Sequence, residues 1–141
     1  MTDLATLSHR IIDEVWNQKN VDAADQLISS DCVVHDPHSV HKGLDGYKQF
    51  VREYLNAFPD LHFTVEDQVA DEHGVATRWT VTGTHQGEPQ GIAATGRRVT
   101  VSGILLSKAR DGKFVESWSS WDTMSLLQQL GVMPSRETIA A

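Results

Sequence analysis

The tetrapeptide RDGK at residues 110–113 places the strongest constraint on how this chain can fold. An Asp-Gly pair between two β-patterned runs reads as a tight hairpin turn, because its central positions need positive φ. Residues 98–109, RVTVSGILLSKA, and residues 113–121, KFVESWSSW, must therefore pair antiparallel. An isolated hairpin is marginal in water, so further strands are required. Residues 61–71 supply one, alternating around Phe63, Val65 and Val69. Residues 75–85, VATRWTVTGTH, supply another, rich in β-branched and aromatic side chains. A long Gly/Pro segment, QGEPQGIAATG, joins this strand to the hairpin and is expected at the rim of any pocket.

The first part of the chain has a helical period. Leu4, Leu7, Ile11, Ile12, Val15 and Trp16 form one stripe over residues 3–18, with Thr2 or Asp3 as the cap. A short helix fits 21–29. DCVVHDP reads as a short strand stopped by Pro37. A third helix fits 43–58, its stripe running from Leu44 through Tyr47, Phe50 and Tyr54 to Phe58, and Pro59 follows it. A closing helix spans about 123–130 and ends at Gly131. Helices, then a meander, then a helix make an α+β pattern, read as one domain over residues 1–141. A curved antiparallel sheet with the N-terminal helices packed over its concave face leaves a cone, and a cone makes a small-molecule pocket.

Composition removes several function classes. Nineteen acids against 12 bases, a formal charge of −7, argue against a nucleic-acid partner. No run approaches the ~18 apolar residues of a membrane span. MTDLATLSHR lacks the apolar core of a signal peptide, and Cys32 is the sole cysteine, so a cytoplasmic protein without an intrachain disulfide is expected.

Four stretches together carry a resemblance: EVWNQKNVDAADQLISSDCVVHDP, FPDLHFTVEDQVADEHGVATRWTVTGTHQGE, GIAATGRRVTVSG and DGKFVESWSSWDTMSLLQQLG. They resemble the SnoaL-like polyketide cyclase family, whose fold, the NTF2-like cone, is shared by nuclear transport factor 2 and ketosteroid isomerase. The resemblance implies aldol ring closure without metal or cofactor. It also implies an acid/base Asp near the end of the last strand and a His on the neighbouring strand. Counted from QQLG and DGK, the acid's position falls on Ser119 and the histidine's on Leu105. Asp122 lies three residues further on, where members commonly carry an Asp that opens the closing helix. The related limonene-epoxide hydrolases, which use an Asp–Arg–Asp arrangement in the same kind of cone, offer a second comparison and a third reading, an epoxide hydrolase. Here Arg78 is followed by Thr80 where their acid would stand.

The candidate catalytic groups are thus His35, Arg78 and Asp122, each with a plainer reading beside it. Asp122 is either a desolvated pocket acid or the N-cap of the closing helix, accepting from the N–H of Met124 or Ser125. His35 ends a strand where the cone should open, and an imidazole there would serve as acid or base; the alternative is a histidine satisfied by backbone. Arg78 would meet a substrate carboxylate or enolate, or pair with one of the many acids. The histidines of HDPHSVH, with Pro37 among them, read as loop residues rather than metal ligands, because zinc sites need three or four convergent groups. Trp16, Phe50, Tyr54, Phe58, Leu105 and Trp121 are the expected wall, with Ser119 among them and His85 at the rim or in a hydrogen-bonded turn. Alternation sends Val115, Ser117, Ser119 and Trp121 inward and Glu116, Trp118 and Ser120 outward. An outward Trp118 suggests a face covered in a homodimer. The expected activity is cofactor-independent acid–base chemistry on a small, largely apolar molecule. The alternative is a binding protein of the same fold.

Overall fold

The computed structural model describes residues 3–87 and 93–132. Helix α1, Leu4–Arg10, is capped by Asp3, whose carboxylate accepts from the N–H of Ala5 at 3.1 Å. The helical stripe then continues as a π-helix, Ile11–Asn17, which keeps Ile11, Ile12, Val15 and Trp16 buried on one side. A 3₁₀ turn at Val21–Ala23 leads to the one-turn helix α2, Ala24–Leu27. Strand β1, Ile28–Asp36, and strand β2, Ser39–Lys42, form a hairpin around Pro37 and His38. Helix α3, Gly43–Ala57, buries Tyr47, Phe50, Val51 and Ala57. The meander follows as β3, His62–Ala70; β4, Gly74–Thr84; β5, Arg98–Arg110; and β6, Lys113–Trp121. Helix α4, Thr123–Gln129, closes the fold.

The six strands lie in the order β2-β1-β6-β5-β4-β3. The sheet is mixed rather than wholly antiparallel, because β1 pairs with β6 in parallel. Connectivity explains this. The α3 crossover delivers the chain to the far edge of the sheet, and three reversals bring β6 back beside β1. The predicted Asp-Gly turn is present, with Asp111 at φ 53° and Gly112 at φ 78°.

Besides a register shift between Ile28 and Val33 in the pairing of β1 with β6, two more bend the sheet, one between Val65 and Asp67 and one where β5 passes from Lys108 to Ala109. The last leaves Val115 as the extra residue of β6. It resets the alternation, so that Phe114, at 4% exposure, faces the core in place of the expected Val115. From Ser117 onward the expected pattern holds, and Trp118 and Ser120 lie on the exposed side. Beyond the end of β6, Thr100 of β5, paired with Thr82 of β4 on one side, has no strand on the other. The Gln129 side chain of α4 stands in for one, accepting from the Thr100 N–H and donating to its carbonyl, both at 2.8 Å. Among the described residues no helix is long and apolar enough to cross a membrane.

Candidate active site

Helices α1 and α3, the π-helix and the concave face of the sheet enclose a cavity of about 130 Å³. That is roughly ten times the room one water molecule needs. The expected wall residues Trp16, Phe50, Tyr54, Phe58, Leu105 and Trp121 all line it. Their rings hold one another edge-on: Trp16 to Phe50 at 5.8 Å, Phe50 to Tyr54 at 5.3 Å, and Tyr54 to Trp121 at 6.4 Å between centroids. Buried polar tips are paired, as where the Trp16 Nε1–H donates to the Tyr47 hydroxyl at 3.1 Å. Leu105 and Ser119 are registered partners on β5 and β6, and both line the cavity. The two positions singled out by the resemblance therefore do face each other across the strands, but neither carries an ionisable group.

Two carboxylates lie at this cavity: Glu116, which is part of its lining and is engaged by His35, and Asp36, which is not a catalytic candidate of the sequence and reaches the cavity through two lining residues, Trp121 and Tyr54. Cys32, Val34 and Asp36 share one face of β1, and the first two are buried at 2% and 6% exposure. Asp36, half-buried, continues that inward face. The indole Nε1–H of Trp121 donates to its Oδ1 at 3.0 Å, and the Tyr54 side chain hydrogen-bonds it as well. Burial raises the Asp36 pKa above the usual carboxylate range. The bonds from Trp121 and Tyr54 and the nearby His38 and His41 oppose that rise without cancelling it. Alternation from Cys32 and Val34 was the signal that would have found it.

The three catalytic candidates of the sequence lie elsewhere. Asp122 is exposed, and its carboxylate accepts from the Ser125 N–H at 2.9 Å, the N-cap of α4. Asp122→Ala is expected to lower stability by about 1 kcal/mol. An unchanged urea midpoint would refute the cap. His35 is displaced by parity: it lies on the opposite face of β1 from Val34. Its ring stacks on Trp118 with centroids 5.3 Å apart, and its Nε2 lies 2.7 Å from Oε2 of Glu116. Arg78 is exposed between the buried Thr77 and Trp79, so it points away from the cavity and leaves no Asp–Arg–Asp arrangement there.

His85 is not a rim residue. It is fully buried beside Phe58, and its Nδ1 accepts from the Thr95 N–H at 3.1 Å, which puts the ring proton on Nε2. That Nε2 has no hydrogen-bond partner among the described residues. Part of the expected rim segment, residues 88–92, lies outside the described residues. His38 meets Thr123 and His41 meets Ser39, and among the described residues no cluster of three metal-ligating side chains forms.

Residues 6–130 match the family model described as SnoaL-like polyketide cyclase. Among solved structures, AclR from Streptomyces galilaeus is 31% identical, with 98% of this chain and 88% of that one covered and a TM-score of 0.81. IdmH from Streptomyces antibioticus is 29% identical over 93% of this chain and 100% of that one, with a TM-score of 0.80. TsrD from Streptomyces laurentii is 26% identical over 94% and 100%, with a TM-score of 0.85. No curated protein matches the chain.

Proposed function

This chain belongs to the SnoaL-like polyketide cyclase family, and from that premise we propose that it is a cofactor-independent acid–base enzyme acting on a small, largely apolar carbonyl compound. The observation that carries the reading is Asp36, a half-buried carboxylate held by two residues, Tyr54 and Trp121, that themselves line the cavity. A carboxylate whose pKa is raised by desolvation is a stronger base than one in water. It takes the α-proton of a ketone, the electron pair of the C–H bond moves into an enolate, and the same carboxyl group returns the proton. The N–H of Trp121 and the Tyr54 hydroxyl hold the carboxylate through both steps. Ser119, two residues before Trp121 on the same face of β6, offers a hydroxyl to the substrate's oxygen.

The test is exchange of the α-protons of 2-tetralone, an apolar aromatic ketone, in D₂O, followed by NMR. The protein is expected to accelerate exchange above buffer, with a rate that rises through an apparent pKa above the ordinary carboxylate value of about 3.9. No acceleration at any pH would favour the second reading, a binding protein. That reading has its own support in the non-ionisable pair Leu105 and Ser119 at the positions where the resemblance places catalytic groups.

The outer sheet face exposes Ile104 at 50% and Leu106 and Trp118 at 39% each, and the last two are registered neighbours. We propose that a second copy covers this face. Sedimentation is expected to show a dimer that Trp118→Glu weakens. A wild-type monomer at every concentration would refute it.

A further inference from the structure

We propose that the closed end of the cavity is a subsite for a single oxygen atom, a phenol or a carbonyl, at the end of the substrate remote from Asp36. The inference rests on reading the cavity as a ligand site, and it says which ligands fit.

Exposure separates two ends. Tyr54, Trp121 and Asp36 are only half-buried, whereas Ser8 and Ser107 are 1% exposed and Thr77 is fully buried. Ser8 of α1 and Ser107 of β5 line the cavity at this closed end, and the partly buried Ser117 of β6, registered opposite Ser107, lines it beside them. Their hydroxyls are paired: Ser107 with Ser117 at 2.9 Å, and Ser8 with Thr77 at 2.9 Å. Gln68 on β3 also donates to the Thr77 oxygen at 3.2 Å, so that pair is tied to protein on a second side. Among the described residues the Ser107–Ser117 pair has no such third side-chain partner. Each hydroxyl carries one proton and two lone pairs. One bond between two of them consumes one proton and leaves the acceptor's own proton over.

Two buried apolar residues stand at neighbouring strand positions. Phe114 is at 4% exposure and Val75, registered opposite Ser107, is at 1%. A hydroxyl donor beside apolar residues gains most from an acceptor brought in by a ligand. Leftover lone pairs on the same two serines accept equally well from a phenol. Geometry sets the ligand's length. Ser117 precedes Trp121 by four residues on β6, about 13 Å along a strand. A molecule that places a reacting carbon beside Asp36 and an oxygen at Ser117 is elongated, apolar between its ends and oxygenated at both. Two or three fused rings have that shape.

The experiment compares 2-tetralone with 6-hydroxy-2-tetralone by calorimetry on the intact protein. The hydroxy compound, whose added oxygen is remote from its ketone, is expected to bind about 5- to 10-fold more tightly. In Ser107→Ala/Ser117→Ala that preference is expected to fall to about one. Both partners of the bond are removed together, so no orphaned hydroxyl is left to unfold the protein; an unchanged Tm checks this. Should the double variant lose its fold, the preference is read in Ser117→Ala alone, where it is expected to fall. Equal binding of the two ketones by wild type, with exchange intact, overturns the subsite and leaves the proposed function standing. A preference that survives in the variants overturns the assignment to these serines. Failure of both ketones to bind overturns the subsite and the ligand-pocket reading together.

Discussion

Asp36→Asn is expected to lower the rate of 2-tetralone exchange by about 10²-fold or more, the range that a positioned acid–base group contributes. Asparagine keeps the shape and the bonding. Its oxygen accepts from the Trp121 N–H as Asp36 Oδ1 does, and its amide donates to Tyr54. The proton acceptor alone is lost, so 2-tetralone affinity is expected to stay within about twofold of wild type. A rate within a few-fold of wild type would remove Asp36 from the mechanism.

The same variant carries a stability signature whose sign follows from the raised pKa. Between the unfolded and folded pKa values of Asp36, the folded protein holds more protons than the unfolded chain. Stability therefore falls as pH rises through that window, and above it the full penalty of a desolvated carboxylate remains. Removing the charge is expected to raise Tm at neutral pH. The gain should vanish as pH drops below the unfolded carboxylate value of about 3.9, where Asp36 is neutral in both states. A Tm lowered equally at both pH values would mean that Asp36 is a structural partner of Trp121 rather than a strained acid.

Gly103→Ala is expected to be the most damaging small substitution near the site. A Cβ at this position would lie 2.5 Å from Trp79 Cζ2, 2.7 Å from Trp121 Cβ and 2.8 Å from the backbone oxygen of Ser120. Trp79 is buried at 6% exposure, and the other two atoms belong to the neighbouring strand, so nothing there is the free end of a flexible side chain. Overpacking of this kind costs about 1–3 kcal/mol, and the upper value corresponds to roughly 6–12 °C in Tm. It also pushes on Trp121, the donor to Asp36, so exchange should fall with stability. Unchanged Tm and unchanged exchange would refute the close approach of β5 to both indoles.

What could be read in the chain was local. The Asp-Gly turn, the stripe of α3 and the Asp122 cap each depend on a few neighbouring residues, and each is present. Period-2 alternation correctly put Arg78 and His85 on opposite sides, though it did not say which side was the cavity. The resemblance singled out Leu105 and Ser119, but they are partners only because the extra residue at Val115 shifts the register; counted straight from the turn, Leu105 would fall opposite Trp118. Features that needed a distant partner were missed. Strand β2 is four residues long, SVHK, with little apolar content, and it exists because β1 offers it an edge. The extra residue at Val115 shows no glycine or proline, and only the register with Ala109 reveals it.

By itself, the sequence determined the family, the α+β order of elements and the aromatic wall, because periodicity and turn chemistry act between residues close in the chain. Only the tertiary structure decided which carboxylate meets that wall. Asp36 and Trp121 are 85 positions apart, and they meet because α3 carries the chain across the sheet and the meander returns β6 parallel to β1. The desolvation that raises the Asp36 pKa comes from that long-range packing, and no local pattern encodes it.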